Sequence, residues 1–215
     1  MPLLKFPPIH SAVARIRNRM TGRQSWITSE SDIVIEGCPR SANTYFMRIL
    51  RAACEHKLSI ASHVHRPEQL IMAHRYDTPC VALFRDPLES VASLVVRDER
   101  YKIGSSMKNY RRFCETALSI ESPRFLMLDF EDVIAHPAQS ISGVLDEFGF
   151  DHLPVSDRLI AEATRDDRED KTMSSLPNPA KDALKERVYD AVRSQPDFER
   201  ARELYEIINT RKWTP

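Results

Sequence analysis

The sequence predicts a single α/β domain, with a central parallel sheet and helices on both of its faces. Short apolar runs typical of buried strands occur at residues 33–35, 60–64, 79–84 and 124–129. A helix is predicted after each run, and the last three of these helices begin at Pro67, Pro87 and Pro137. Strands alternating with helices favour a three-layer fold, and 215 residues are enough to bury one sizeable core.

The first strand and the first helix flank a loop suited to bind an anion. The β-branched run at 33–35 ends before Gly37 and Pro39, and the helix is predicted to begin at Thr44. The apolar positions of this helix are Phe46, Ile49, Leu50, Ala53 and Cys54. Backbone N–H groups and the helix dipole therefore converge where the loop meets the helix, and both favour a negative charge.

This loop departs from the triphosphate-binding pattern G-x-x-x-x-G-K-[ST]. Gly37 begins the pattern, but Ala42-Asn43-Thr44 stands where Gly-Lys-[ST] would be, so the lysine that reaches the β- and γ-phosphates is missing. A cation, Arg40, lies early in the loop instead. We therefore predict a P-loop-like pocket for one phosphate-like group beside a cation, with a structural turn as the alternative.

The loop resembles a sulfotransferase motif. Residues 39–45, Pro-Arg-Ser-Ala-Asn-Thr-Tyr, are similar to the Pro-Lys/Arg-Ser-Gly-Thr/Asn-Thr-Trp loop of sulfotransferases that use 3′-phosphoadenosine 5′-phosphosulfate (PAPS). Ala42 replaces a glycine there, which is tolerable if its backbone stays helical. In that family the loop wraps the 5′-phosphosulfate. The resemblance therefore implies that the donor is held by Arg40, Ser41, Ala42, Asn43, Thr44 and Tyr45.

Two histidines follow the second predicted strand. His63 and His65 alternate with a valine, which predicts that both imidazoles lie on one face near the carboxyl edge of the sheet, where ligands bind. Residues 65–70 resemble the family's His-Leu-Pro-x-x-Leu stretch, whose histidine removes the acceptor's proton. The resemblance implies that His65 is the base, with a structural histidine as the alternative. A metal pair is disfavoured, because no Cys or carboxylate ligand lies at suitable spacing.

The third strand is followed by a well-specified helix start. Asp86 suits the N-cap and Pro87 the first helical turn. Arg85 is thereby predicted at the strand's end. Arg85-Asp86-Pro87 with Ser93 resembles the family's second signature, which implies that Arg85 and Ser93 grip the donor's 3′-phosphate. An ordinary ion-pair arginine and a solvated serine are the alternative.

The remainder of the chain carries weaker motifs. Residues 130–137 resemble a Tyr-Glu-Asp-Leu…Pro segment of the family. Residues 162–170 are predicted to be a solvated loop, and the loop at 172–179 is expected to cover the nucleotide. The family's C-terminal Arg-Lys-Gly-x-x-Gly-Asp-Trp element is absent, and Arg168 and Lys171 are the candidates to replace its phosphate contacts.

Three further helices are predicted from apolar spacing. One lies between residues 97 and 120, and two finish the chain. The predicted inward positions are Met107, Tyr110, Cys114 and Ala117 in the first, Leu184, Val188 and Ala191 in the second, and Phe198, Ala201, Leu204, Tyr205 and Ile208 in the third.

Composition limits the class of protein. Basic and acidic residues balance at 31 each, which does not indicate bulk attraction to nucleic acid. The four cysteines form no CxxC pair, and we find neither a membrane-spanning run nor a signal-peptide core; a cytoplasmic protein is expected. The predicted organisation is a basic N-terminal segment (1–31), a nucleotide-binding core (32–150) and a helical C-terminal part (151–215). The basic segment is predicted to be solvated, with contact to an anionic partner or a membrane surface as the alternative.

The implied function is sulfuryl transfer from PAPS to an acceptor hydroxyl, with 3′-phosphoadenosine 5′-phosphate (PAP) as product and no metal. Arg40 would stabilise charge on the leaving phosphate and His65 would act as base. A small-molecule, glycan or lipid acceptor is expected, but no motif identifies it. Two alternatives stay open: a Mg²⁺-dependent small-molecule kinase, for which Asp129 fits the metal signal after a strand, and a non-catalytic nucleotide-binding module.

Overall fold

The strands form one parallel sheet, as the sequence predicts. The structure is a computed structural model, which describes residues 25–165 and 179–215 together with Ile16 and Asn18. The sheet has the strand order β2-β1-β3-β4, and every neighbouring pair is parallel. The strands are β1 (Ile33–Gly37), β2 (Ile60–Ser62), β3 (Cys80–Phe84) and β4 (Phe125–Asp129).

Nine helices lie within the described residues. The predicted helix starts at Pro67, Pro87 and Pro137 are confirmed. The helices are α1 (Asn43–Ala53), α2 (Pro67–Arg75), α3 (Pro87–Arg97), α4 (Ile103–Leu118), α5 (Phe130–Ala135), α6 (Pro137–Phe148), α7 (Asp157–Thr164), α8 (Pro179–Arg193) and α9 (Phe198–Arg211).

The strand side chains alternate between two apolar clusters, one on each face of the sheet. Val34 and Ala82 point into a cluster with residues of α2, α3, α4, α8 and α9. Ile35 and Val81 point into a cluster with residues of α1, α5 and α6. The fold is therefore the predicted three-layer arrangement, and a buried core lies on each side of the sheet.

Two details of the helices differ from the expectations. Residues 162–164 belong to α7 rather than to a solvated loop, because the Ser156 hydroxyl caps this helix by accepting from the Leu159 N–H. Along α8, Leu184 and Ala191 are exposed, and Val192 is buried against the core instead. The buried face of α8 is thus displaced by one position from the predicted face.

Some sequence predictions fall outside the described residues. These are the basic segment before residue 25, apart from Ile16 and Asn18, and the segment 166–178 with Arg168 and Lys171. Within the described part of the chain, no helix combines the length and the apolar character needed to cross a membrane.

Candidate functional site

The candidate site lies at the carboxyl edge of the sheet, between β1 and β3. The chain leaves β1 for β2 on one side, and it later returns to β3 on the other side of β1. The connections that follow β1 and β3 therefore run in opposite directions, and a crevice opens between them. The loop at 38–42 and residues Arg85 and Asp86 border this crevice.

The backbone of the 38–42 loop turns sharply. Arg40 has φ 72° and Ala42 has φ 64°, so both residues are in the left-handed region. The right-handed helical backbone under which alanine would be tolerable at residue 42 is therefore absent, and the position is one that favours glycine. A Cβ at Gly37 would lie 2.3 Å from the Leu83 carbonyl oxygen, so only glycine allows β1 to approach β3 this closely.

Polar groups without partners surround the start of α1. This helix begins at Asn43, one residue before the predicted start, and its first turn carries neither a side-chain cap nor an acidic residue. Ser41 is fully buried, and its hydroxyl has no hydrogen-bond partner among the described residues. The Asn43 amide donates to the Cys38 carbonyl at 3.0 Å, while its Oδ1 is buried without a partner in the described part of the chain. The Ser41 hydroxyl can donate to an anion at this helix N-terminus, whereas the Asn43 Oδ1 can only accept.

Two arginines of the predicted signatures lie side by side at the crevice. Arg85 Nη1 donates to the Arg40 carbonyl oxygen at 3.4 Å, and Arg40 Nε donates to the Ser93 hydroxyl at 3.0 Å. Burial, together with the positive charges of Arg97 and Arg85, lowers the pKa of Arg40 to about 10. Arg40 is still cationic at neutral pH, so the crevice concentrates positive charge that an anion would neutralise.

Arg85 is held by contacts that the sequence did not predict. Its guanidinium stacks 4.2 Å from the centre of the Phe130 ring, and its Nη2 donates to Glu89 at 3.2 Å. Its carbonyl oxygen accepts from the Tyr110 hydroxyl at 2.6 Å. Its Nε is buried and has no hydrogen-bond partner in the described part of the chain. The guanidinium is therefore oriented by its surroundings and keeps one unused donor.

Both histidines lie next to the loop, but not on an extended strand. Strand β2 ends at Ser62, and His63 and His65 have φ 66° and 54°. His63 Nε2 is 2.9 Å from the hydroxyl of Thr44 in the first turn of α1. His65 Nδ1 is 2.9 Å from the Gly37 carbonyl oxygen, and the two rings meet edge to face at 5.7 Å. The strand predicted at 60–64 is thus too long by two residues.

The hydrogen bonds of Glu36 account for the end of strand β2 at Ser62. Its carboxylate accepts from the Val64 N–H at 2.6 Å and from the His65 N–H at 2.9 Å. These two N–H groups therefore bond to a side chain rather than to a neighbouring strand. Burial raises the pKa of Glu36, although the nearby His65 and the backbone donors oppose this rise. Sequence reasoning missed Glu36; its only signal was one acid in an otherwise apolar strand.

Asp129, on which the kinase alternative depends, has a structural role. Its Oδ1 accepts from the Glu131 N–H at 2.9 Å, which caps α5, and its Oδ2 accepts from the Tyr205 hydroxyl at 2.5 Å. Among the described residues, no three His, Cys, Asp or Glu side chains form a group that could hold a metal ion.

The structure brings together most of the predicted site residues. Arg40, Ser41, Ala42, Asn43, Thr44, His65, Arg85 and Ser93 all lie around the crevice or at the start of α1. Tyr45, also in α1, packs against the apolar cluster beneath this helix. Ser93 bonds to Arg40, although the family resemblance assigns Ser93 to the 3′-phosphate and Arg40 to the 5′-phosphosulfate. The additional neighbours that sequence reasoning missed are Glu36, Glu89, Asn109, Tyr110 and Phe130.

Comparison with known proteins identifies the fold. No protein-family model matches the chain, and no curated protein matches it in sequence. Several solved structures are similar to it, and two of them are sulfotransferases. The sulfotransferase domain of the olefin synthase from Synechococcus PCC 7002 matches with a TM-score of 0.51 at 12% identity, over 86% of this chain and 96% of that domain. Mouse sulfotransferase SULT7A1, complexed with PAP, matches with a TM-score of 0.52 at 10% identity, over 86% of this chain and 91% of that chain.

The chain therefore has a sulfotransferase fold. The similarity spans most of both partners in each comparison, so it concerns the whole architecture and not one supersecondary motif. The resemblance of the three short motifs to sulfotransferases agrees with this fold.

Proposed function

We propose that the protein is a sulfotransferase that moves a sulfuryl group from PAPS to an acceptor hydroxyl. The observation that carries the proposal is the pairing of Arg40 and Arg85 across the crevice, beside a helix N-terminus whose buried Ser41 hydroxyl has no partner among the described residues. The sulfotransferase fold, and the PAP held by the similar mouse protein, agree with it. Cations and free N–H groups at one edge of a parallel sheet suit a nucleotide with phosphates at two positions.

The donor would be held from two sides. The N–H groups at the start of α1, with the side chains of Ser41, Asn43 and Thr44, would bind the 5′-phosphate and its sulfuryl group. Arg85 and Ser93 would bind the 3′-phosphate, and Arg85 has an unused Nε donor for it. Arg40 belongs to the loop proposed for the 5′-phosphate, and it also contacts the two residues proposed for the 3′-phosphate, Arg85 through its carbonyl and Ser93 through its side chain. Its charge would stabilise the leaving phosphate.

The acceptor would be activated by His65. A carbonyl oxygen only accepts hydrogen bonds, so the contact with Gly37 requires a hydrogen on His65 Nδ1 and leaves Nε2 as the basic nitrogen of the neutral ring. With 26% of the side chain exposed, a bound hydroxyl could reach it. Sulfuryl transfer resembles phosphoryl transfer in needing in-line positioning and charge neutralisation.

We further propose a cytoplasmic location and a small-molecule, glycan or lipid acceptor. All four cysteines are buried and unpaired, which agrees with a reducing compartment. The basic N-terminal segment and the organisation of residues 1–215 as one domain stay predictions.

The test is ligand-induced stabilisation without a metal. At 100 times its dissociation constant, PAP should stabilise the protein by about 2.7 kcal/mol, which raises the melting temperature by about 5–10 °C, with a chelator present. Arg85→Ala should abolish this shift. Arg124→Ala is the matched control, because Arg124 immediately precedes β4 and so lies at the opposite edge of the sheet. Arg40→Ala and His65→Ala should lower turnover at least 100-fold with labelled PAPS and an acceptor extract.

Other outcomes would replace the proposal. Stabilisation by ATP that requires Mg²⁺, without any shift from PAP, would indicate the kinase alternative. PAP binding without transfer to any acceptor, and unaffected by His65→Ala, would indicate a nucleotide-binding module.

A further inference from the structure

Building on the proposed function, we infer that Glu36 is a positioning residue for His65. It fixes the backbone that carries the histidine, and its charge stabilises the imidazolium that forms when Nε2 takes the acceptor's proton. None of the motifs in the sequence assigns this role.

Three contacts of the Glu36 carboxylate fix the segment that carries the histidine. One oxygen accepts from the Val64 N–H, and the other accepts from the His65 N–H. The second oxygen also lies 3.6 Å from His65 Nδ1. Asn109 donates to the His65 carbonyl at 3.1 Å from α4. The left-handed backbone of His65 is thereby held at its N–H and at its carbonyl oxygen, which is how a strained conformation persists.

Glu36 occupies a position that is costly for a carboxylate. Its side chain has no exposed surface, and the preceding strand residues, 33–35, are buried and apolar. An apolar side chain there would avoid the desolvation penalty of the charge. The two backbone donors and the histidine offset this penalty only in part, since burial still raises the pKa of Glu36. A carboxylate kept at this cost beside a candidate base indicates a role in the chemistry.

The other titratable groups near the pair do not compete for the carboxylate. The thiols of Cys38 and Cys80 have raised pKa values, because they are buried and Glu36 is close, so they are neutral at pH 7. From α4, burial raises the pKa of Tyr110, and Cys114 contacts Cys38. The ring of His63 lies 5.7 Å from that of His65. His65 is therefore the group whose positive charge Glu36 can stabilise.

The chemical step is balanced without a further reactant. The acceptor oxygen forms a bond to sulfur while the bond between sulfur and the 5′-phosphate oxygen breaks, and PAP leaves. The acceptor's proton passes to His65 Nε2, which gives an imidazolium with hydrogens on both nitrogens. Glu36, whose two oxygens accept from backbone N–H groups, acts near Nδ1 as a charge partner and not as a proton carrier.

The test is nitrogen-15 NMR of the histidine rings in the full chain, with His65 assigned from His65→Asn. In the unsubstituted protein, the neutral His65 ring should carry its hydrogen on Nδ1. In Glu36→Gln, the form with its hydrogen on Nδ1 should lose population, because glutamine keeps only one of the two acceptor oxygens that hold residues 64 and 65. Glu36→Asp keeps both oxygens and the charge and should retain more of this form than Glu36→Gln. Glu147→Gln, an exposed carboxyl on α6, is the matched control and should leave the ring signals unchanged.

The NMR result is independent of whether sulfuryl transfer occurs. A neutral ring protonated on Nε2, or the same ring signals in Glu36→Gln and the unsubstituted protein, overturns the inference. If Glu36→Gln does not fold, the tautomer of the unsubstituted protein and the ring signals of Glu36→Asp decide it. With activity established, kcat should fall 10- to 100-fold in Glu36→Gln while the PAP dissociation constant stays the same, since the donor contacts are intact.

Discussion

At the scale of single residues, backbone strain is concentrated around the crevice. Seven non-glycine residues in the described part of the chain have positive φ, and Arg40, Ala42, His63 and His65 are four of them. Conformations of this kind cost free energy and persist where surrounding contacts fix them, which is a property of functional sites. The strain falls on both segments that carry the proposed catalytic groups, and it accounts for the way they turn toward one another.

Ala42→Gly should stabilise the protein. Ala42 has φ 64°, where the Cβ of an L-residue is unfavourable, and glycine removes that cost. The gain exceeds the extra entropy of glycine in the unfolded chain, so we expect a net increase of about 0.5–1 kcal/mol in the free energy of unfolding. Urea denaturation measures it.

The control is Ala161→Gly in α7, where the backbone is helical and the side chain is exposed. This variant should lose up to about 1 kcal/mol, because glycine is a poor helix former. Equal effects of the two substitutions would show that the strain at Ala42 is compensated.

At the scale of helices and strands, the residues of the candidate site are positioned by helices from distant parts of the chain. Tyr110 of α4 fixes the Arg85 carbonyl, and Asn109 of the same helix fixes the carbonyl of His65. Glu89 of α3 accepts from Arg85, from Lys185 at 2.8 Å and from the Tyr189 hydroxyl. Helix α8 is thereby anchored next to the proposed 3′-phosphate site, although the family's C-terminal signature is missing.

The anchoring of α8 through Glu89 should depend on pH. Burial acts to raise the pKa of Glu89, but the hydrogen bonds from Lys185 and Tyr189 and the charge of Arg85 outweigh it, so the pKa lies below its ordinary 4.5. A carboxyl with a lowered folded pKa stabilises the protein above pH 4.5, and that stabilisation is lost as the pH falls through the folded pKa. The difference in melting temperature between the unsubstituted protein and Glu89→Gln should be constant near neutrality and shrink below pH 4.5.

Glu186→Gln separates this effect from a general change in charge, because Glu186 is an exposed carboxyl on α8, the helix that Glu89 anchors. It should leave the melting temperature unchanged at neutral pH. A Glu89→Gln variant as stable as the unsubstituted protein at pH 7 would contradict the anchoring role.

At the scale of the whole molecule, the C-terminal helices complete the core of the nucleotide-binding part. Helix α9 buries Phe198, Ala201, Leu204 and Ile208 in the cluster that includes β1 and β3 side chains. At the other face, the Trp213 side chain packs against the second cluster, and the Trp213 backbone N–H donates to the Met127 carbonyl at 2.8 Å. The last 20 residues therefore contact both faces of the sheet, which favours cooperative unfolding of the sheet and the C-terminal helices as one unit.

Leu204→Ala should destabilise this whole unit. Leu204 is buried, and the cavity left by its truncation should cost about 2–5 kcal/mol. Far-UV circular dichroism and tryptophan fluorescence should report one coincident transition, displaced to lower denaturant. Leu184→Ala, at a site that is 44% exposed, is the control and should change the stability by less than about 0.5 kcal/mol. Two separate transitions would show that the C-terminal part unfolds on its own.

From the sequence alone we predict the four strands, most of the helices, the loop after β1 and the capped start of α3. These features depend on apolar spacing and on caps within a few residues, so they can be read locally. The exceptions have local reasons too. The Ser156 cap that starts α7 is not used in the predictions from the sequence. The predicted inward face of α8 lies one position away from Val192, which is the buried residue.

The assembly of the site depends on tertiary packing. The bond between Arg40 and Ser93 spans 53 residues, that between Glu36 and His65 spans 29, and that between Glu89 and Lys185 spans 96. No local pattern encodes such pairs, because they depend on which strand ends the parallel sheet places side by side. The sequence therefore indicates candidate groups for binding an anion, whereas the packing of the sheet and helices determines which of them touch.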